Sequence, residues 1–346
     1  MNPADSGEKS EHLFVGIDVG GTNVKVGVVD DNGRVVADTS FPTEQQKGPE
    51  FAIELACSTV RELLLQHELD YSQVLRLGLG TPGPMDIPAG LILTPANLPG
   101  WRNFPVRQTL AQAADRPVTF CNDAAAAAFG EYWVGGGSDF SSLVLFTLGT
   151  GVGGGIIVDD VSIDGAHSHG AEIGHMRIDS SDSARICSCG MPGHLEAYAS
   201  ATAVMLRTDE RLAAGEGSIL QGQQSPTPLM IANAASSGDA MAIEIVMETA
   251  DYLSDGIACL AHVIDPGVVL IGGAMNFGGS DNDLGRTFLD RIKTNVRRDT
   301  FTMIAENLTI DFAHLGSGAG FVGAAGLARR DYWRSRKNTS STTQLS

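Results

Sequence analysis

The amino-acid sequence predicts an α/β protein of two domains, and three observations lead there. Its 346 residues suit two domains at the usual ~100 to 200 residues each. Runs with strand character alternate with runs whose apolar residues fall at helical spacing. An apolar strand, a glycine turn, a second strand and an acidic turn occur once in each half, at LFVGIDVGGTNVKVGVVD and SLVLFTLGTGVGGGIIVDD, which suggests an internal duplication.

In chain order, LFVGIDV, NVKVGVVD and RVVADTSFP read as consecutive antiparallel strands joined by glycine turns. FAIELACSTVRELLLQHEL follows as an amphipathic helix, then VLRLGLG as a buried strand. The Pro- and Gly-rich TPGPMDIPAGLILTPANLPGW reads as an irregular loop. VTFCND is a strand, AAAAAFGEYW a helix, and SLVLFTLGTGVGGGIIVDD a second hairpin. A loop-rich insert leads into several helices, the short strand GVVLIGGA, and a small-residue helix entered through the glycine turn of HLGSGAGFVGAAGLARR. The polar tail RSRKNTSSTTQLS is expected to be disordered.

The apolar fraction of 43% is ordinary for a chain that buries a core. With 23 Lys+Arg against 41 Asp+Glu, the formal charge of -18 would repel nucleic acid and anionic membranes, so a small-molecule partner is expected. The polar start MNPADSGEKSEH has no apolar core of the signal-peptide kind, and no apolar run is long enough to span a bilayer, which points to the cytoplasm. Of the 5 cysteines, Cys57, Cys121 and Cys259 stand singly, as buried thiols do, whereas Cys187 and Cys189 form a C-x-C pair flanked by histidines, which suggests metal.

In DVGGTN, Gly20 and Gly21 let the backbone approach a ligand without a Cβ clash, and successive turn N–H groups can form an anion-binding concavity. Thr22 adds a hydroxyl donor, and Asp18 can hold a hydrated Mg²⁺ that bridges to phosphate. The glycines of one such turn alone would equally serve a plain hairpin. The second turn, with Thr150, Gly151, Gly153 and Gly154, offers another cradle, and two facing cradles suit a nucleoside triphosphate held between two domains. Between them, Asn122 and Asp123 end a strand and enter a helix, where α/β folds bind ligands. Asp123 could take the proton of a hydroxyl attacking phosphorus, and the same position suits a helix N-cap.

Cys187, Cys189 and His194, with His175 upstream, are the ligand types of a closed zinc site; unliganded reduced thiols in a loop are the alternative. Glu172 and Glu196 flank these ligands, and two carboxylates with an imidazole can hydrogen-bond the hydroxyls of a polyol or sugar. His167 and His169 read as surface residues.

The succession GIDVGGTN, GLGTPGP, CNDAAAAAFGE, LGTGVGGG, GAEIGH, CSCGMPGHLEAYAS and LIGGA, from about Leu13 to Leu327, resembles the ROK family of bacterial sugar kinases and sugar-responsive repressors. The resemblance implies two RNase H-like domains of the hexokinase and actin type around a central cleft, closing over sugar and ATP with Mg²⁺. One domain would comprise residues 13–122 plus about 320–337. The other would comprise 123–319 with a zinc-binding insert at about 165–200, leaving 1–12 and 338–346 as flexible tails. Matched position by position, Asp123 is the catalytic base and Asn122, Glu172, His175 and Glu196 are sugar contacts, with Gly83 and Asn97 in loops lining the sugar site. Asp18, Gly20, Gly21 and Thr22 match the first phosphate motif, Thr150 and Gly151 the second, and Gly272 and Gly273 the adenosine motif. In this family the GAEIGH histidine also ligates zinc. His194 stands where the family has a third cysteine, so the set would be His175, Cys187, Cys189 and His194.

The expected activity is ATP-dependent phosphorylation of a hexose 6-hydroxyl, glucose first. Fructose, allose, N-acetylglucosamine and N-acetylmannosamine remain alternative substrates, and polyphosphate an alternative donor. A repressor would carry a DNA-binding segment ahead of the first phosphate motif, and only about a dozen polar residues precede Leu13. The resemblance further implies a homodimer or homotetramer.

Overall fold

The computed structural model describes residues 12–342, with side chains described as far as Lys337. The chain divides into two compact units. One holds the residues up to Val134, Asp164–His169 and the chain from Gly318 on; the other holds Gly135–Ile163 and Gly170–Ser317.

The first unit is built on β1 (Leu13–Val19), β2 (Asn23–Asp30), β3 (Val35–Pro42), β4 (Val74–Thr81) and β7 (Val118–Asn122), in the order β3-β2-β1-β4-β7. The first three strands are antiparallel, and β1, β4 and β7 run parallel. Its helices are α1 (Gly48–Gln66), α2 (Val106–Ala114), α3 (Asp123–Val134) and the last helix, α10 (Ala319–Thr342). Successive strand residues face opposite ways. Val15 and Ile17 therefore join α1 residues such as Ile53 in one apolar cluster, while Gly16 between them meets α10. A Cβ on Gly16 would lie 1.7 Å from the Phe321 carbonyl oxygen, and one on Gly78 of β4 would lie 1.8 Å from that of Ala324. Glycine at these two strand positions lets the backbone of α10 rest directly on the sheet. The loop expected to be irregular contains a small hairpin, β5 (Met85–Asp86) with β6 (Leu91–Ile92).

The second unit repeats the plan with β8 (Ser142–Leu148), β9 (Val152–Val158), β10 (Val161–Ser162), β11 (Val268–Gly272) and β12 (Thr309–Phe312). Their order is β10-β9-β8-β11-β12, again with three antiparallel strands followed by parallel ones. Position for position this is the strand order of the first unit, so the duplication suggested by the two hairpins extends to both sheets. It is also the RNase H-like topology expected of each domain. The helices are α4 (Glu196–Ala199), α5 (Ala201–Ala213), α6 (Pro228–Ser236), α7 (Ala240–Ile264), α8 (Asp283–Asp299) and α9 (Thr302–Asn307). α7, with residues such as Ile245, Leu253 and Ile257 fully buried, forms the spine of a second apolar cluster with β8, β11 and α8.

Several expectations change. The first boundary, expected at residue 122, falls after Val134, because α3 packs along α10. The segment expected to be disordered from Arg334 is helical as far as Thr342, and Arg336 reaches back one turn to the Tyr332 hydroxyl at 2.7 Å. The expected tail at 1–12 lies, apart from His12, outside the described residues, as does the tail beyond Thr342. Cys57 and Cys121 are buried, but Cys259 is exposed on α7. Among the described residues no single helix is long and apolar enough to cross a membrane.

Candidate active site

In the first unit the expected residues gather at the carboxyl ends of the parallel strands. Asp18 lies at the end of β1, in register with Gly80 of β4, which is in register with Cys121 of β7. A Cβ on Gly80 would stand 3.6 Å from the Asp123 Cα, an ordinary contact that places this end of β4 beside the start of α3. α10 closes on the same carboxylate, since a Cβ on Gly320 would come within 2.4 Å of an Asp18 oxygen. Burial, then the charge of Asp123, push the Asp18 carboxyl up to about 6, with Lys25 pulling the other way. Such a carboxyl gains most from a cation, which would relieve both the desolvation and the like-charge repulsion.

Asn122, not Asp123, caps α3. The helix begins at Asp123, and the Asn122 side-chain oxygen accepts from the N–H groups of Ala124 at 2.9 Å and Ala125 at 3.1 Å. Asp123 becomes the first helical residue, with its Oδ1 accepting from Ala124 N–H at 2.8 Å. Gly83 lies beside this pair, a Cβ there falling 4.0 Å from the Asn122 amide nitrogen.

The turn at Gly20, Gly21 and Thr22 is held by residues that the sequence did not single out. Thr43 donates through its hydroxyl to the Gly20 carbonyl at 2.7 Å and through its N–H to that of Thr22 at 2.9 Å, while the Gln45 amide donates to the Gly21 carbonyl. With three successive carbonyls tied down, the peptide planes are fixed, which is the preorganisation an anion-binding turn needs. Asn97 packs against Gly21, with its Cβ 3.2 Å from where one on Gly21 would be. Asn97 is thereby placed beside the first glycine turn.

The second turn has the same construction. Ala201 N–H donates to the Gly149 carbonyl at 2.9 Å and the Thr202 hydroxyl to that of Thr150 at 2.8 Å, so the start of α5 does here what Thr43 and Gln45 do in the first unit. Gly153 and Gly154, expected in this cradle, belong instead to β9, paired with Thr147 and Phe146. The missing Cβ of Gly154 admits the Ile173 side chain, which would otherwise lie 2.1 Å away. Gly272 and Gly273 end β11 nearby: Gly273, at φ +92°, packs on Leu148, and Met275 N–H donates to the Leu148 carbonyl at 3.1 Å.

Glu172 precedes a short 3-10 turn at Ile173–His175, which lies so close to β9 that a Cβ on Gly174 would be 2.0 Å from the Val152 carbonyl oxygen. His175, Cys187, Cys189 and His194 come together, with one ligand atom from each and all four within 4.8 Å of one another. His175 Nδ1 is 3.3 Å from His194 Nδ1 and 3.7 Å from Cys187 Sγ, and Cys189 Sγ is 3.3 Å from His194 Nδ1. Tetrahedral zinc with bonds of ~2.0 to 2.3 Å requires ligand separations of roughly 3.3 to 3.8 Å, the range of these three distances, so the donor types and their spacing suit the ion. Tyr198 steadies the segment leading into the cluster, donating to Asp179 at 2.6 Å and accepting from Arg185 N–H at 2.8 Å.

Glu196 carries more bonds than a sugar contact alone would predict. Its Oε2 accepts from Val152 N–H at 3.1 Å and its Oε1 from the Ser188 hydroxyl at 2.5 Å and the Cys187 thiol at 3.4 Å. Two carboxylate oxygens have about four acceptor positions, so capacity for a ligand hydroxyl remains.

A sequence model of the ROK family matches residues 14–331. A glucokinase from Halalkalibacterium halodurans is 32% identical over 325 residues, 93% of this chain and 96% of the relative. The crystal structure of a ROK hexokinase from Thermus thermophilus superposes with a TM-score of 0.78 at 30% identity, covering 92% of this chain and 98% of that one. That of a ROK family glucokinase from Streptomyces griseus, in complex with glucose and AMPPNP, does so with a TM-score of 0.74 at 32% identity, covering 92% and 99%. On a match that spans both units and every motif from the first glycine turn to the last helix, the chain belongs to the ROK family.

Proposed function

We propose that the protein is an ATP-dependent hexose kinase, a glucokinase, that transfers the γ-phosphoryl group to the sugar 6-hydroxyl. One observation carries it: an aspartate opens α3 at the carboxyl edge of the first sheet, close enough to the buried Asp18 for its charge to raise that group. The named glucokinases that are about a third identical over nearly the whole chain support the choice of glucose.

Asp123 accepts the hydroxyl proton as the sugar oxygen attacks phosphorus; with a reference pKa of ~3.9 it is a weak base, suited to a loose transition state in which the proton leaves late. Asn122, Glu172, His175 and Glu196, with the Gly83 loop, hold the sugar hydroxyls. The N–H groups at Gly20, Gly21 and Thr22 and at Thr150 and Gly151 receive phosphate oxygens, and the turn at Gly272 and Gly273, seated on Leu148, would contact adenosine. Asp18 would hold Mg²⁺, which supplies charge neutralisation at the phosphoryl oxygens. The zinc ligands would be His175 and His194 through Nδ1, with Cys187 and Cys189, and the ion would fix the loop that carries His175. A homodimer or homotetramer in the cytoplasm, with no part for nucleic acid, accords with the family and with the net charge of -18.

The test is ATP-dependent product formation across a panel of hexoses and N-acetylhexosamines, compared by kcat/KM. A lead for glucose is expected. A lead for another sugar would keep the chemistry and change the substrate, and silence across the panel would overturn the kinase assignment.

A further inference from the structure

The metal-ligand loop and the second phosphate turn are far apart in sequence but meet at one carboxylate. Glu196 opens α4 directly after the last metal-ligand segment. Its Oε2 holds the N–H of Val152, the residue that follows Gly151. Its Oε1 takes the Ser188 hydroxyl, from the residue between the two cysteines. The fit at the turn is close: a Cβ on Gly151 would sit 2.3 Å from Glu196 Oε2. The other side of the same turn is tied to α5 through the Gly149 and Thr150 carbonyls. The Glu196 side is therefore the face of the turn whose support depends on the loop.

We propose that Ser188 is a positioning residue which, through Glu196, couples the metal loop to the turn that receives nucleotide phosphate. Both the Cys187 thiol and the Ser188 hydroxyl reach Glu196 Oε1. A metal-bound cysteine is a thiolate with no proton to give, so in the loaded protein the Ser188 hydroxyl is the donor from the loop that keeps Oε1 in place. With Oε1 fixed, Oε2 presents itself to Val152 N–H and the peptide plane between Gly151 and Val152 is set. Metal occupancy thus acts on nucleotide affinity as well as on the sugar side, where His175 lies. Hydroxyl-to-carboxylate bonds are among the stronger hydrogen bonds, which sets the scale of the effect.

This coupling rests on the kinase assignment, and the experiment separates the two. Affinity for the magnesium complex of AMPPNP is measured by calorimetry, without sugar, on wild type, Ser188→Ala and Ser188→Thr, with zinc content determined on the same samples. Ser188 is exposed, so neither change disturbs the core. Ser188→Ala is expected to retain zinc yet bind nucleotide more weakly by about tenfold or more, the loss of one hydrogen bond to a charged group, with Ser188→Thr within twofold of wild type. Stripping zinc with a chelator should weaken binding in wild type and do so less in Ser188→Ala, since the link is already cut. Affinity of Ser188→Ala within twofold of wild type, a loss that only follows zinc loss, or failure of threonine to restore binding would each overturn the coupling while leaving the kinase assignment intact. A wild-type protein that binds no nucleotide would overturn both.

Discussion

Asp123 makes its neighbour Asp18 a weaker acid: its negative charge adds to the larger effect of burial, and the Asp18 carboxyl titrates at about 6. Protonated Asp18 cannot hold a divalent cation. The value of kcat/KM for MgATP, corrected for the nucleotide's own protonation, should therefore fall about tenfold per pH unit below about 6. In kcat, where the bound cation already favours the ionised form, the limb should lie lower. A flat kcat/KM profile from pH 5 to 7 would contradict the assignment of Asp18.

The same shift predicts a stability cost. The folded protein holds this proton more tightly than the unfolded chain, whose carboxyl titrates near 3.8, so the stabilisation is complete below 3.8 and lost as pH rises through about 6. At pH 7 the buried charge costs on the order of 3 kcal/mol. Asp18→Asn should therefore raise the urea midpoint at pH 7 in buffer free of nucleotide and divalent cations, with the gain vanishing toward pH 4, while MgATP binding is lost.

Asn122 and Asp123 should separate cleanly on mutation. Asp123→Asn is expected to lower kcat by about 10² to 10⁴-fold while calorimetry finds sugar affinity within a few-fold of wild type. Asn122→Ala removes the cap of α3 and should cost about 1 kcal/mol in denaturant unfolding, in addition to raising KM for the sugar.

Purified protein should contain one zinc per chain. Cys189→Ser, at an exposed position where the change costs no packing, should lose most of the metal and lower Tm, because binding free energy of a structural zinc is folding free energy. Equal Tm for metal-free and metal-loaded protein would refute a structural zinc.

Gly16→Ala and Gly78→Ala each place a methyl group inside the backbone of α10, and backbone cannot rotate aside as a side chain can. Each should destabilise the protein by about 1 to 3 kcal/mol or more, measured by urea unfolding. Gly217→Ala, where a Cβ meets nothing within 4 Å, is the control and should be near neutral.

The features legible in the sequence are those whose chemistry is local. A tight turn between strands needs glycines in succession, a C-x-C pair needs two thiols one residue apart, and a strand of alternating faces shows its period within eight residues. The internal duplication was visible as two hairpins because each hairpin is contiguous. What stayed hidden depends on partners distant in the chain or on a one-residue difference in where a helix starts. Nothing near Asp18 announces that Gly320 will close over it and move its proton affinity. Whether Asn122 or Asp123 caps α3 turns on a single position, and local preference allows both. Gly154 resembles a cradle residue in sequence, but its neighbour in space is Ile173, which no spacing rule would supply. Thr43, Gln45 and Ser188 are common polar residues whose importance comes only from the carbonyls and carboxylate they reach.

The seat of α10 on Gly16 and Gly78 also bears on how the protein is made. The first sheet emerges early from the ribosome, yet the helix that covers part of it is encoded from residue 319 on. Throughout most of synthesis, glycine-lined stretches of β1 and β4 wait without their covering helix, an opening for chaperones or for pairing with the wrong chain. The second unit, complete in sequence by Ser317, has no such delay. A released chain that stops at Ser317 should therefore resist protease in its later-made half while its earlier-made half is still cut.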